Sequence, residues 1–303
     1  MPRCSGTYRD CKKEANLFVK EFPSPRTICR RIHSLPLDEE EVRSKADLIQ
    51  ADGTKAHGLG RDNDVNVVIG IGENNDKKLL ACRVNVKWEE MRSEIEDKVN
   101  NPYLIADGER GIPSLIEKED NFQLCLNHTV RYVNYLLWRD MADKETRKEI
   151  TDRLKSTLFT LKNSVLKNMD KDRERIRSRV DWAVDEMKKL HDRAKEISLT
   201  AARFIRRASN RAVTFARVCY EKGKLIPWNN NLIERLMGEL SKRIKHKWMH
   251  WSTRGLEAIA NLILIGYTDE ERYHKLRDMM LNSDRNGYIS CSVISLRPIR
   301  REF

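Results

Sequence analysis

What the sequence lacks narrows its reading first. It has no run of about 18 apolar residues, so no transmembrane helix is expected. Its seven cysteines, Cys4, Cys11, Cys29, Cys82, Cys125, Cys219 and Cys291, are odd in number, scattered and never spaced C-x-x-C. That excludes a disulfide framework and a zinc ribbon, and it fits a reducing cytoplasm. Met1–Phe22 carries charges at short intervals and no apolar stretch, so no secretory signal is expected there. No lipidation motif, internal repeat or low-complexity tract occurs. Proline is absent from Thr129 to Glu221, which favours long helices over that stretch.

What is present is charge, and more of one sign. The chain has 303 residues, enough for one large domain or two ordinary ones. Hydrophobic residues make up 40% and charged residues 34%, so a packed core sits under a densely charged surface. Lys and Arg number 58 against 46 Asp and Glu, a net charge of +12. A chain this basic is expected to meet a polyanion, with nucleic acid ahead of an anionic membrane surface. Between Met141 and Lys222 there are 22 basic and 13 acidic residues. That surplus reads either as a solvated helical surface or as a face that meets DNA backbone.

The periodicities divide the chain. Tyr8–Phe22 reads as one helix, and Arg26–Leu35 as a second after Pro23-Ser-Pro25. This pair resembles a helix-turn-helix, with Arg26, Arg30 and Arg31 facing a DNA groove, or else a charged hairpin packed on the next domain. Residues 46–128 then predict a β-β-β-α-β-α-β order. Strands are expected at Ala46–Gly53, Val65–Gly72, Lys78–Lys87, Tyr103–Gly108 and Asn121–Leu126. Asn101-Pro102 reads as a break before the fourth. Helices follow over Thr129–Met141, Lys144–Asn168, Arg173–Ile197 and Leu199–Tyr220. After a break at Gly223–Pro227 the chain resumes helix from Asn229 to about Lys247, again over Ser252–Ile265, and last over Asp269–Met280. The expected organisation is 1–45 helical, 46–128 sheet core, 129–226 all-helical insertion, 227–266 return to the core, and 267–303 a final helix and tail.

Three carboxylates stand out by position. Asp52 ends the expected first strand, Asp107 ends the fourth, and Glu234 lies in the first turn of a helix. If strands one and four are neighbours, the two aspartates lie side by side, and a helix packed across the sheet can bring the glutamate to them. Three hard oxygen ligands without His or Cys suit Mg²⁺ or Mn²⁺, and two such ions activate phosphodiester cleavage. Taken singly, Asp-Gly after a strand is an ordinary turn, and Glu at a helix start answers the helix dipole.

The blocks LIQADGTKAH (48–57), YLIADGERGI (103–112), LCLNH (124–128) and NNNLIERLMGELSKRIKHKWMHWSTRGLEAIANLIL (229–264) resemble those of DDE transposases of prokaryotic insertion sequences, in the mutator-like group. The most specific is the last: Asn231 with Glu234 three residues on, a basic helix, Trp251, then a helix of small residues. The resemblance covers residues 46 to about 265. It implies an RNase H-like mixed sheet interrupted by a helical insertion, with Asp52, Asp107 and Glu234 as catalytic ligands of two Mg²⁺ or Mn²⁺ ions. It implies double-stranded DNA as partner, both element ends and target, and a dimer or larger homo-oligomer, with no membrane. Cys125-x-x-His128 matches a short signature of the group, which places His128, Cys125 and Asn231 beside the active site. The spacing alone offers two metal ligands and no second pair, so zinc is not expected. Lys55, Arg110, Arg203, Arg206, Arg207, Lys242, Arg243, Lys245 and Lys247 are the expected phosphate contacts. Trp182 and Trp251 are either core aromatics or stacking platforms for an unpaired base. Residues 1–45 are shorter than the end-recognition region of such enzymes and read as a remnant of one.

Overall fold

The computed structural model describes residues 25–37, 45–72, 76–245 and 250–282. The helix expected over Tyr8–Phe22, Lys247 and the tail after Asn282 lie outside them.

Five strands form one mixed sheet. β1 (Ala46–Ala56), β2 (Asn63–Ile71) and β3 (Lys77–Val84) make an antiparallel meander, while β4 (Val99–Ala106) and β5 (Phe122–Leu124) continue in parallel from the other side of β1. The order across the sheet is β3-β2-β1-β4-β5. Helix α1 (Pro25–His33) precedes it, and α2 (Trp88–Ile95) joins β3 to β4. The helices α3 (Leu126–Arg139), α4 (Lys144–Asn168), α5 (Arg173–Lys195), α6 (Leu199–Arg211) and α7 (Thr214–Lys222) follow β5. The chain closes with α8 (Asn231–Ile244), α9 (Thr253–Thr268) and α10 (Glu270–Asn282).

Alternation along the strands explains how the sheet is covered. Val65, Val67 and Ile69 of β2 point to one face, where they meet Ile233, Leu236, Leu240 and Leu256 of α8 and α9. Val68, with Ile49 and Ala51 of β1, points to the other, which shares one apolar core with α2 to α7. The helical insertion is therefore continuous with the sheet's second face. Its helices start where short polar side chains satisfy free amides: Asp143 accepts from Thr146 N at 2.8 Å, Asp172 from Arg175 N at 3.0 Å and Ser198 from Ala201 N at 3.0 Å. The outer edge at β3 is closed by α9, where Glu257 accepts from Val84 N at 3.0 Å and Asn261 donates to the Cys82 carbonyl at 3.1 Å.

Three expectations about local structure change. β1 does not end at Asp52-Gly53: its pairing with β2 continues to Ala56–Asn63 after the parallel ladder to β4 has stopped at Gln50–Ile105. Gly53 is thus a strand residue, and a Cβ there would lie 3.0 Å from Asn66 Oδ1 and 3.2 Å from Glu109 Oε2. Asn101-Pro102 is not a break before β4 but lies inside it: the strand starts at Val99 and passes through Asn101 at φ +43°. The helix expected over Leu199–Tyr220 is two, α6 and α7. Gln123 makes the break: it accepts from Phe215 N at 2.6 Å and donates to the Ala212 carbonyl at 3.3 Å, taking over groups that a continuous helix would pair. Separately, α1 packs on the C-terminal side of the core through buried Ile32, and Arg31 donates to the Met280 carbonyl at 3.3 Å.

Candidate functional site: a carboxylate cluster at the sheet's centre

The parallel register sets Gln50 beside Ile105, so two residues further on Asp52 and Asp107 stand next to each other. Asp52 sits within β1, held by β2 through Val67. Asp107 is the first residue beyond β4, and its Oδ1 accepts from Glu109 N at 3.0 Å. Gly108, at φ +91°, makes that close turn.

Glu234 arrives from across the sheet. Its helix α8 begins at Asn231, and the amides of that first turn are not capped by the Asn230 side chain. Asn229 Oδ1 accepts from Asn231 N at 3.2 Å, and Gln50 Oε1, from β1, accepts from Ile233 N at 3.1 Å. Gln50 is almost wholly buried and also donates to the Asn229 carbonyl at 3.4 Å. The strand that carries Asp52 thereby sets the start of the helix that carries Glu234. Asn230 is buried, and both polar atoms of its side chain lack a hydrogen-bond partner.

The electrostatics follow from this crowding. The Asp52 carboxyl is pushed up to about 7, first by burial, then by the negative charges of Asp107 and Glu234, against the Gly53 amide and His128. A carboxylate held this way gains from a cation placed among the three acids. His128 lies in the first turn of α3, its Nδ1 3.5 Å from Glu234 Oε1. Its imidazole is pushed up to about 9, chiefly by its polar contact with Cys125 and then by Glu234 and Asp107, against burial. Cys125 is fully buried at the N-cap of α3.

A fourth acid escaped the sequence reading. Glu109 lies over Gly53, accepts from the Trp88 indole N–H at 3.3 Å, and has its carboxyl raised by desolvation and by Asp107. Its place directly after Asp107-Gly108, the second of the two strand-end Asp-Gly pairs, was its only sequence signal. Further along α3, Tyr132, Tyr135 and Trp138 follow His128 at helical spacing and remain exposed. Tyr132 and Tyr135 stack with centroids 6.1 Å apart.

The expected phosphate contacts fall in separate places. Lys55 is exposed on β1, 3.6 Å from Asp64, and Arg110 is exposed beside Glu109. Arg203, Arg206 and Arg207 are exposed on α6, and the last two join Arg211 and Arg217 around a cavity of about 240 Å³ that also includes Glu119 and Asp120. Lys242 and Arg243 of α8 are both paired with Glu239, and Arg243 also donates to the Tyr267 hydroxyl at 2.9 Å. Lys245 is exposed at the end of α8, as are Arg26 and Arg30 on α1. Trp182 is half-buried under the Arg179 guanidinium at 4.8 Å, and Trp251 donates its indole N–H to the Ile244 carbonyl at 3.0 Å, so both have structural partners.

Compared with known proteins, the chain matches no protein-family model and no curated sequence. Among the described residues no helix is long and apolar enough to cross a membrane.

Proposed function

We propose that this chain is a DNA transposase of the DDE type, built on an RNase H-like core. The observation that carries this reading is the meeting of Asp52 and Asp107, on neighbouring parallel strands, with Glu234 from a helix laid across the sheet. The strand order 3-2-1-4-5 with β2 antiparallel to its neighbours, and the helices inserted between Asp107 and Glu234, support it. So do the excess positive charge and the exposed rings of Tyr132, Tyr135 and Trp138, which suit unpaired bases.

The donor set fits hard divalent ions: three carboxylates converge, and their mutual repulsion raises Asp52. Asp52, Asp107 and Glu234 would hold Mg²⁺ or Mn²⁺, which supplies charge stabilisation at the phosphorus under attack. The chain's own groups do the rest. In cleavage, water attacks phosphorus and the 3′ oxygen leaves with a proton. In strand transfer, that 3′-hydroxyl attacks a target phosphodiester and displaces the target's 3′ oxygen. His128, protonated near neutral pH, offsets the acids and offers an N–H to a phosphate oxygen. Lys55, Arg110 and Asn231 lie close in sequence to the three acids, and they would contact the DNA backbone beyond the cleaved bond. Terminal inverted repeats and target DNA are the partners, and bringing two ends together calls for a dimer in the cytoplasm.

The test is an assay on labelled duplex DNA carrying the neighbouring inverted repeats, with Mg²⁺ or Mn²⁺, wild type beside Glu234→Gln. Cleavage and joining by wild type, with binding alone by the variant, is expected. Equal cutting by both overturns the assignment. Cleavage without joining of a pre-cut 3′-hydroxyl end would make the protein a nuclease of the same fold instead.

A further inference from the structure

We infer that Cys125, His128 and Glu234 form a binding site for a soft divalent cation, of which Zn²⁺ is the expected occupant. In the sequence, Cys125 and His128 are two ligands without a third. The fold supplies the third from 106 positions downstream, and one ligand atom from each of the three residues lies within 4.8 Å of the others. Tetrahedral zinc, with bonds of about 2.0–2.3 Å, sets its ligand atoms roughly 3.3–3.8 Å apart. The His128 Nδ1 to Glu234 Oε1 distance is 3.5 Å, so that pair already stands at the spacing zinc requires.

Two further features favour a ligand here. His128 Nδ1 is sealed from solvent and has no hydrogen-bond partner. Cys125 sits at the N-cap of α3, one turn before His128, so thiol and imidazole share the same side of that helix start. Cys125 is fully buried, while the His128 and Glu234 side chains keep 27% and 35% exposure, so the group lies at the edge of the core. Thiolate with imidazole selects zinc over magnesium, so this site differs in chemistry from the three-carboxylate set. Both share Glu234. Where the proposed transposase reading holds, Zn²⁺ bound here draws that carboxylate away and inhibits Mg²⁺-dependent cleavage. That consequence rests on the proposed function; the metal site itself does not.

The experiment titrates the full chain with Cd²⁺ and reads the sulfur-to-cadmium charge-transfer absorption, then repeats with Zn²⁺ and reads the unfolding temperature. Cys29, whose Sγ lies 3.7 Å from His33 Nε2, is a second thiol–imidazole pair, so the variants decide. Wild type is expected to bind one equivalent with a rise in Tm. Cys125→Ser should lose that equivalent's band and the rise, and His128→Ala and Glu234→Gln should each weaken binding by at least about tenfold. An unchanged band in Cys125→Ser, or no binding by wild type, overturns the inference. If Cys125→Ser does not fold, unchanged binding in both other variants overturns it equally. Asp52→Asn should bind Zn²⁺ as wild type does, so loss of the transposase reading and loss of this site are separate results.

Discussion

Gln50 on β1 and Ile233 on α8 are joined by a hydrogen bond of 3.1 Å, from the Ile233 amide to the buried Gln50 carbonyl oxygen, across 183 positions of sequence. It spans the gap between two of the three acids: Asp52 is two residues beyond Gln50, and Glu234 is the residue after Ile233. The geometry of the cluster therefore depends on a side chain that carries no charge.

Gln50→Leu keeps the volume but removes the acceptor and strands a buried amide, at a cost of about 1–3 kcal/mol. Each kcal/mol lowers Tm by roughly 2–4 °C in a chain of this size. Thermal unfolding measures it, and DNA cleavage should fall in parallel as Glu234 loses its anchor. A variant as stable as wild type would show that Gln50 does not hold α8.

Asp52 predicts a pH effect on stability in the metal-free protein. Its carboxyl titrates near 3.8 unfolded and near 7 folded, so between those values the folded state holds a proton that the unfolded state has lost. Stability from this group is full below 3.8, falls as pH rises through that window, and levels off above about 7. With EDTA present, the Tm advantage of Asp52→Asn over wild type should grow across the same window and then stay constant. Excess Mg²⁺ at a pH above the window should shrink it. A difference that does not change with pH would place Asp52 outside the repulsive cluster.

Gln123 is fully buried and holds the α6–α7 break open. Gln123→Leu leaves the Phe215 amide and Ala212 carbonyl unpaired, each worth about 1–3 kcal/mol. Hydrogen exchange should quicken locally around residues 212–215, and Tm should fall. Protection equal to wild type there would mean that the backbone sets the break unaided.

Charge contacts should separate by how each is already paired. Arg207 is exposed beside the arginine-lined cavity, whereas Lys242 is tied to Glu239. Arg207→Gln should weaken duplex binding and reduce the salt slope of log K by about 0.9 for the lost phosphate contact. Lys242→Gln should change both less. Fluorescence anisotropy over a salt series measures the pair, and the reverse ranking would move the DNA path from α6 to α8.

Local patterns were legible wherever one element decides its own form. The β-branched run at Val65–Ile71 reads as a strand because both of its faces are buried. The long helices of the insertion read correctly at Lys144–Asn168 and close to it at Arg173–Lys195, because Asp143 and Asp172 begin them. The errors share one cause. Asp52-Gly53 looks like a turn until β2 pairs past it, and Arg211–Thr214 looks helical until Gln123 reaches in from β5.

The sequence by itself determined most of the strands and helices and the basic charge, because periodicity, caps and composition act over a few residues. The tertiary structure alone decided that Asp52 and Asp107 are neighbours, that Glu109 overhangs Gly53, and that Glu234 completes a set with Cys125 and His128. Those relations are made by strand register and by a helix crossing the sheet. No local propensity encodes them, since residues far apart in the chain meet only when the two faces of the sheet are buried.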